Sequence, residues 1–276
     1  MVTKHTFSTI IFDVDGTLAD TEREGHRIAF NQAFRDEGLA WHWSEDLYGA
    51  LLSVTGGKER IRFFIERYRP NLNYSDAPIT DIEDLIVKLH QSKTRYFSKL
   101  VTDGAIRPRP GVVRLIHEAR HAGMKLAIAT TSVLENATAL LKSILHPDAL
   151  EWFDVIAAGD VVPQKKPAPD IYHYVLQAMN LSPTECLVIE DSAHGLSAAV
   201  QAGLPAIVTV NDYTRTQNFS DAVMVVNHLG DPDHASEAIA SSIDISDCLT
   251  QQPTPYIDLG ALRTIHRQAV QLPTAQ

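Results

Sequence analysis

The sequence predicts an α/β protein in which a doubly wound, Rossmann-like parallel sheet carries an inserted α-helical cap domain. Short apolar runs rich in β-branched residues alternate with amphipathic helical patterns along most of the chain. Such alternation is typical of a mostly parallel sheet that is covered by helices on both faces. The alternation is interrupted once, after the first predicted strand, where a long stretch contains helical patterns only.

The predicted strands are the apolar runs at residues 9–12, 125–129, 155–158, 187–189, 206–210 and 222–226. No convincing strand lies between residues 21 and 105, where the clearest helical pattern runs from Ile82 to Leu100. We therefore expect residues 21–105 to form the helical cap domain, and residues 1–20 and 106–276 to form a discontinuous α/β core. The tail after about residue 231 holds scattered apolar residues, and no element is assigned to it.

Serine and threonine mark several helix starts in the sequence. Thr21 with Glu24, and Ser132 with Glu135, match the capping-box pattern, in which the hydroxyl and the carboxylate satisfy free amides of the first turn. Ser192 is a further candidate cap for a helix that runs to Gly203.

The composition restricts the possible partners. Lys and Arg total 24 against 34 Asp and Glu, and the resulting net charge of −10 repels nucleic acid. A phosphate-bearing ligand therefore needs a local positive site. No apolar run approaches the roughly 18 residues that span a bilayer, and the two cysteines, Cys186 and Cys248, fit a reducing compartment. We expect a monomer without membrane contact, in the cytoplasm or in the plastid stroma of a eukaryote.

Polar residues follow four of the predicted strands. Ligands of open parallel sheets bind beyond the carboxyl ends of the strands, so these residues are expected to meet at one edge. Each of these four groups of residues, taken singly, could be an ordinary turn, helix cap or solvated loop lysine. Four groups placed at the same edge of one sheet favour a functional site over coincidence. The residues are Asp13 and Asp15, Thr130, Thr131 and Ser132, Lys165 and Lys166, and Glu190 and Asp191.

The donor set of this edge favours Mg²⁺ as the cofactor. Mg²⁺ prefers hard oxygen ligands, retains several waters, and commonly takes one or two carboxylates with a substrate phosphate. Zinc is not indicated, because no cysteine or histidine spacing typical of zinc ligands occurs at the strand ends.

The same residues carry a resemblance to the haloacid dehalogenase superfamily. DVDGT from Asp13, the AIAT run that ends at Thr130, KKPAPDIY with Lys166, and IEDSAHG from Ile189 resemble its four motifs in order. The helical insert is similar to the cap of the β-phosphoglucomutase-like branch. The segments LADTEREGHRIAFNQAF, TGGKERI, RPG and AIATTS resemble CbbY-type sugar bisphosphatases, and this likeness extends over about residues 7–230.

The resemblance implies a Mg²⁺-dependent sugar-phosphate phosphatase. Asp13 would attack phosphorus and form an aspartyl phosphate that water hydrolyses. Asp15 would protonate the leaving sugar oxygen and then deprotonate the water. Within this family the implied substrate is xylulose 1,5-bisphosphate, a misfire product that inhibits Rubisco in the Calvin cycle.

Further roles are implied by the same resemblance. Thr130 and Lys166 would hold phosphate oxygens, and Thr131 would also bind substrate. Mg²⁺ would be bound by the Asp13 carboxylate, the Asp15 carbonyl and Asp191, with Glu190 acting directly or through water.

The cap would bind the rest of the substrate. Lys58 and Arg60 follow two glycines and are expected to bind the second phosphate, whereas Glu22 and His26, four residues apart on one helix face, would contact sugar hydroxyls. Arg109 is expected either to bind substrate or to tie the returning chain to the cap. We expect cap closure about hinges near residues 18–21 and 106–111.

Other functions stay open at this point. A β-phosphoglucomutase would share these residues but return the phosphoryl group to a second sugar hydroxyl. A general sugar-monophosphate phosphatase would use the same core chemistry, and a catalytically inactive phosphate-ligand-binding domain would use only the pocket. Phosphonoacetaldehyde hydrolysis is disfavoured, because Lys58 lies beside Glu59 and Arg60 and is poorly placed to become a neutral amine.

Overall fold

The structure is a computed structural model, and it describes residues 6–71, 81–244 and 254–271. Its strands form one seven-stranded sheet of order β3-β2-β1-β4-β5-β6-β7, in which every neighbouring pair is parallel except β6 and β7. The predicted doubly wound, mostly parallel sheet is confirmed. The strands are β1 (Thr9–Phe12), β2 (Lys125–Thr130), β3 (Val155–Ala158), β4 (Cys186–Glu190), β5 (Ala206–Thr209), β6 (Met224–Val226) and β7 (Ala238–Ser241).

Helices cover the sheet and form the insertion after β1. In chain order they are α1 (Arg27–Asp36), α2 (Glu45–Leu51), α3 (Gly57–Tyr68), α4 (Ile82–Thr102), α5 (Val112–His121), α6 (Leu134–Ile144), α7 (Asp170–Met179), α8 (Ala193–Gln201) and α9 (Leu259–Ala269). A π-helical turn at Glu22–His26 precedes α1.

The two faces of the sheet bury different strand residues. Side chains alternate along a strand, so Ile10 and Phe12 of β1 pack with residues of α5, α6 and α9, whereas Ile11 packs with residues of α7 and α8. This arrangement places helices on both faces and leaves the carboxyl-end edge of the strands available for a site.

The insertion has an apolar cluster of its own. Aromatic side chains dominate it, among them Phe30, Phe34, Trp43 and Phe64. Helix α4 is the exception, because Phe97 and other residues of its C-terminal half join the apolar cluster of the sheet. The inserted helical module is observed, and the exact division at residues 20/21 and 105/106 stays a prediction.

Both predicted capping boxes are wrong. The Thr21 side chain makes no cap hydrogen bond, and α6 begins after Val133 rather than after Ser132. Both hydroxyls instead donate to the carboxylate of Asp15. The cap at Ser192 is confirmed, since its Oγ accepts a hydrogen bond from the Gly195 amide at 3.1 Å.

The tail after residue 231 contains two elements that the sequence analysis did not assign. β7 was missed because all four of its residues are exposed and carry no burial pattern. α9 packs against the sheet through Leu262 and Ile265. Cys186 is buried in β4, and Cys248 lies outside the described residues.

No helix within the described ranges is long and apolar enough to span a membrane.

Candidate active site

Three carboxylates converge where β1 and β4 end. Phe12 pairs with Ile189 in the parallel register, so Asp13, Glu190 and Asp191 follow side by side. Each of the three offers a carboxylate oxygen within 4.8 Å of the others, and all three residues are buried. The structure therefore brings together the acidic residues that the sequence predicted at this edge.

Lys166 inserts its ammonium group among these carboxylates. Its Nζ donates to Asp13 Oδ1 at 2.8 Å, to the Ala129 carbonyl at 2.8 Å and to Glu190 Oε1 at 2.5 Å. Burial opposes the charged form of Lys166, but Asp13 and Glu190 outweigh that effect and raise its pKa. Lys166 is therefore a fixed cation at the base of the site.

One lysine does not balance three buried carboxylates. Burial raises the pKa of Asp13 to about 8, and Glu190 adds to the shift while Lys166 opposes it. Burial, followed by repulsion from Asp13 and Glu190, raises the pKa of Asp191 well above its usual range. A further cation would stabilise the ionised forms of both aspartates, so the donor set fits a divalent metal such as the haloacid dehalogenase resemblance implies.

The carboxylates differ in how free their oxygens are. Among the described residues, nothing donates a hydrogen bond to Asp13 Oδ2 or Asp191 Oδ1. Glu190 is fully engaged, because Oε1 accepts from Lys166 and from the Tyr172 hydroxyl at 2.7 Å, and Oε2 accepts from the Asp191 amide at 3.1 Å. This contact pattern favours the second alternative for Glu190, an indirect contact with the metal.

The position that packs against the Glu190 side chain, residue 195, requires glycine. A Cβ atom on Gly195 would lie 2.0 Å from the Glu190 carboxylate, far inside contact distance. The glycine of the IEDSAHG segment therefore allows the first turn of α8 to pass close to the acidic cluster.

Asp15 points away from this cluster and towards the cap. Its Oδ1 accepts from Thr21 Oγ1 at 2.6 Å and contacts His26 Nε2 at 2.7 Å, and its Oδ2 accepts from Ser132 Oγ. Burial disfavours the charged form, but His26, Ser132 and Thr21 lower the pKa of Asp15 below its usual range. The side chain of Asp15 is thus held at the boundary between core and cap.

The π-helical turn aims His26 at Asp15. The ring of His26 stacks on Phe97 with centroids 4.0 Å apart, and the residue is only 3% exposed. Gly25 has no room for a side chain, because a Cβ there would lie 2.7 Å from Ile106 and 2.9 Å from Phe97.

The cap contributes an opposing polar face. A cavity of about 430 Å³ lies between core and cap. Arg60 is buried and donates to the Tyr48 hydroxyl at 2.8 Å, and that hydroxyl donates to Glu22. Lys58 lines the mouth with its side chain 44% exposed, 3.9 Å from Asp160. Thr130 and Thr131 line the core wall.

Comparison with known proteins identifies the family. A model of haloacid dehalogenase-like hydrolases matches residues 7–203, which include β1 to β4, the inserted helices and the acidic cluster. The chain belongs to the haloacid dehalogenase-like hydrolase family. The resemblance found in the four sequence motifs is confirmed, and with it the expectation of an enzyme.

Several relatives of this hydrolase are CbbY proteins. CbbY of Rhodobacter capsulatus is 46% identical over 215 residues, covering 77% of this chain and 89% of the relative. The crystal structure of Rhodobacter sphaeroides CbbY with phosphate is 43% identical with a TM-score of 0.73, and covers 81% of this chain and 95% of that one. A variant of that CbbY in complex with xylulose 1,5-bisphosphate gives 42% identity, a TM-score of 0.74 and the same coverage.

A mutase relative is more distant. The structure of a putative β-phosphoglucomutase from Thermotoga maritima is 29% identical, with a TM-score of 0.59 and coverage of 79% of this chain and 94% of that one. The predicted β-phosphoglucomutase-like branch is thereby confirmed for this hydrolase.

Sequence reasoning missed a buried lysine in the hydrolase cavity. Lys93 of α4 is 4% exposed, and its Nζ lies 5.3 Å from the centroid of Phe30 and 5.2 Å from that of Phe97. Burial lowers the pKa of Lys93 to about 8. The signal was available, because Leu89, Lys93 and Phe97 are spaced by four residues and the lysine falls on the apolar face.

The sequence analysis assigned no substrate or metal role to three other cavity residues. Ser132 bonds Asp15, and Asn211 Nδ2 donates to Asp191 Oδ2 at 2.7 Å. Lys165 bridges Glu59 of the cap at 3.0 Å and Asp160 of the core at 3.2 Å. Ser132 and Lys165 lie in segments that the sequence analysis singled out, whereas no sequence pattern distinguishes Asn211 from an ordinary loop residue.

Arg109 does not line the cavity. Its Nη1 donates to the Gly16 carbonyl and to the carbonyl and hydroxyl of Thr209, and Nη2 donates to the carbonyls of Val210 and Asn227, both at 2.6 Å. These partners all lie in the core, so Arg109 ties the returning chain to the core, and the second of its predicted roles, a tie to the cap, is not observed among the described residues.

Proposed function

We propose that the protein is a Mg²⁺-dependent sugar-phosphate phosphatase that hydrolyses the 1-phosphate of xylulose 1,5-bisphosphate. The observation that carries this proposal is the distribution of charge in one cavity. The core end holds the acidic cluster with Lys166, and the cap end holds the cations Lys58, Arg60 and Lys93. A bisphosphate needs a reaction centre at one end and a cationic site at the other, and CbbY provides a relative that binds this sugar.

The metal site would be formed by the free oxygens of the core. The Asp13 carboxylate, the Asp15 carbonyl and Asp191 would hold Mg²⁺, with Glu190 acting through water. Bound Mg²⁺ supplies positive charge that reduces repulsion between carboxylate and phosphate and stabilises the charge of phosphoryl transfer.

The first chemical step belongs to Asp13. An oxygen of its carboxylate attacks phosphorus, and the bond between phosphorus and the sugar oxygen breaks. Thr130 and Thr131 hold the phosphate oxygens in line, and Lys166 joins them by exchanging one of its three hydrogen bonds for a phosphate oxygen. Asp15 gives a proton to the departing sugar oxygen, since an alkoxide leaves poorly at neutral pH.

The second step uses Asp15 as a base. It takes a proton from the water that attacks the aspartyl phosphate, and this releases phosphate and restores Asp13. The hydrogen bonds from Thr21, His26 and Ser132 favour the ionised form that a base requires. To act as an acid, Asp15 must exchange one of these donors for the substrate oxygen and carry its proton.

The cap would bind the sugar and the distal phosphate. Glu22 and His26 face the cavity where sugar hydroxyls would lie, and Lys58, Arg60 and Lys93 would hold the second phosphate. We further propose that the enzyme is a monomer of the cytoplasm, or of the plastid stroma in a eukaryote, where Rubisco would form its substrate.

Phosphate release on a substrate panel tests the proposal. Purified protein with Mg²⁺ is assayed on xylulose 1,5-bisphosphate, ribulose 1,5-bisphosphate, β-glucose 1-phosphate and simple sugar monophosphates. Asp13→Asn serves as the inactive control, and Asp221→Asn, at an exposed aspartate, serves as its matched active control. We expect kcat/KM for the xylulose compound to exceed the others by about 100-fold, or about 2.7 kcal/mol.

Other results would replace the proposal. Conversion of β-glucose 1-phosphate without phosphate release would identify a mutase. Similar rates on all monophosphates would identify a general sugar phosphatase, and binding without turnover would identify a phosphate-binding domain.

A further inference from the structure

The loop after β5 is anchored to the acidic cluster. Asn211 donates through Nδ2 to Asp191 Oδ2 at 2.7 Å, and its Oδ1 accepts from the Tyr213 amide at 2.9 Å. The Thr214 hydroxyl accepts from the Asn211 amide at 3.0 Å and closes the turn. The position of Tyr213 is therefore fixed relative to the proposed metal site.

Tyr213 extends from this core loop into the cap. It packs against the apolar cluster of the cap, and every other member of that cluster among the described residues lies between residues 30 and 89. Its ring meets the ring of Tyr48 edge to face, with centroids 6.0 Å apart. Next to it, Asp212 accepts from Arg23 of the cap at 3.2 Å.

Tyr48 connects this contact to the cavity. Its hydroxyl bonds both Glu22 and Arg60, and burial makes it part of the rigid interior of the cap. A core residue that positions Tyr48 therefore also positions two cavity residues of the cap.

Three further contacts across the mouth of the cavity are polar. Lys165 pairs with Glu59 at 3.0 Å, Lys58 lies 3.9 Å from Asp160, and Thr55 bonds His194 at 3.2 Å. The two ion pairs are partly exposed, and exposed ion pairs contribute little to stability and are screened by salt. An aromatic contact is not screened, and such pairs contribute more than their buried area alone.

We propose that Tyr213 is a positioning residue that docks the cap on the core and so aligns Glu22 and Arg60 with a sugar phosphate held at Asp13. The inference rests on the proposed function for its substrate, although the contact itself does not. Tyr213 determines specificity indirectly, because a ligand that reaches only the core gains nothing from a docked cap.

The first test separates substrates by the parts of the site that they contact. For Tyr213→Ala we expect kcat/KM on xylulose 1,5-bisphosphate to fall about tenfold, the range of a lost aromatic pair. The inhibition constant of inorganic phosphate, which needs only the core, should stay within about twofold. Tyr213→Phe should match the wild type, since the Tyr213 hydroxyl has no hydrogen-bond partner among the described residues. Tyr174→Ala, at an exposed tyrosine of α7, is the matched control.

A second variant, in the cap, alters the same contact between Tyr213 and the cap. A Cβ on Gly49 would lie 3.0 Å from Tyr213 Cδ1, so Gly49→Ala should displace the ring. Alanine favours a helix over glycine, so the fold of α2 should not suffer. We expect Gly49→Ala to lower kcat/KM by less than Tyr213→Ala does, because the ring shifts by only a few tenths of an ångström, and the double variant to lose no more than Tyr213→Ala alone.

Several outcomes would overturn the inference. Equal losses in sugar-phosphate turnover and phosphate inhibition would indicate damage to Asp191 through Asn211 instead. A reduced kcat/KM of Tyr213→Phe would assign the effect to the Tyr213 hydroxyl. A double variant in which the losses of Gly49→Ala and Tyr213→Ala add in full would show that Gly49→Ala does not act through the Tyr213 ring. If the wild type prefers another sugar phosphate, the proposed function fails while the same comparison on that substrate still decides the role of Tyr213.

Discussion

Lys93 should destabilise the free protein and strengthen substrate binding. Replacing it by Met keeps a long side chain between Phe30 and Phe97 and removes a buried charge that has no ion-pair or hydrogen-bond partner among the described residues. Burial lowers the pKa of Lys93 from 10.5 to about 8. At about 1.4 kcal/mol for each pH unit of displacement, burial of the charged amine costs about 3 kcal/mol.

The sign of the pH dependence follows from proton binding. Below about pH 8 both the folded and the unfolded chain carry the proton on Lys93, so the full penalty is present. Between about pH 8 and 10.5 the unfolded chain binds more protons than the folded one, so the free energy of unfolding rises with pH. Above that window both states are neutral and the penalty is absent.

Urea unfolding of the wild type and Lys93→Met, from pH 7 to 10.5, measures this difference. We expect the variant to be more stable by about 3 kcal/mol at pH 7, with the advantage disappearing towards the upper end. Lys88→Met, at an exposed position of the same helix, should show no such trend. A Lys93→Met variant that is less stable than the wild type at pH 7, or a difference independent of pH, would refute the reasoning. The variant should also show a KM for xylulose 1,5-bisphosphate raised about tenfold, as for a lost contact to a charged group.

Three further predictions concern the core. Asp13→Asn should reduce turnover by at least about 10³-fold while substrate still protects the protein from thermal unfolding; residual activity above that level would exclude Asp13 as the nucleophile. Asp15→Asn should slow sugar-phosphate hydrolysis by about 10²–10⁴-fold. It should slow aspartyl-phosphate formation from an aryl phosphate, measured in the burst phase, far less, because an aryl oxide leaves without a proton. Arg109→Met should leave the carbonyls of Gly16, Val210 and Asn227 without their donor and lower the free energy of unfolding by at least about 3 kcal/mol at unchanged KM; a stable variant with raised KM would assign Arg109 to the substrate.

Much of the fold was accessible from sequence because the sheet is buried on both faces. Its strands read as continuous apolar runs, and β1 and β3 lie where they were predicted. β7 escaped prediction because an exposed edge strand has no apolar pattern: all four of its residues are exposed, and they pair only with β6.

Site residues that the strand order places next to each other could be predicted from the sequence. Site residues whose side chains have two possible hydrogen-bond partners could not. Asp13 and Asp191 follow adjacent parallel strands, so their proximity is a consequence of fold class. Thr21 and Ser132 had a local alternative, capping, and local rules favoured it. In the folded protein a buried carboxylate needs donors more than a helix end does, because an amide at a helix end can bond to water instead. The failures of local prediction therefore fall on the residues that hold Asp15.

In the free protein the two ends of the cavity carry unbalanced charges of opposite sign, negative at the core end and positive at the cap end. The core end of the cavity has too many carboxylates for Lys166, and burial raises the pKa of Asp13 and Asp191. Within the described part of the cap, Lys93 is a buried cation that contacts aromatic rings but has no ion-pair or hydrogen-bond partner, and burial lowers its pKa. A metal cation at the core and a phosphate at the cap would each supply the missing opposite charge, so the free energy lost by burying these groups is regained on binding. With the metal bound at the core, a monophosphate held at Asp13 leaves the cap mismatch in place, whereas the second phosphate of a bisphosphate removes it, and this difference is the physical basis for the proposed selectivity.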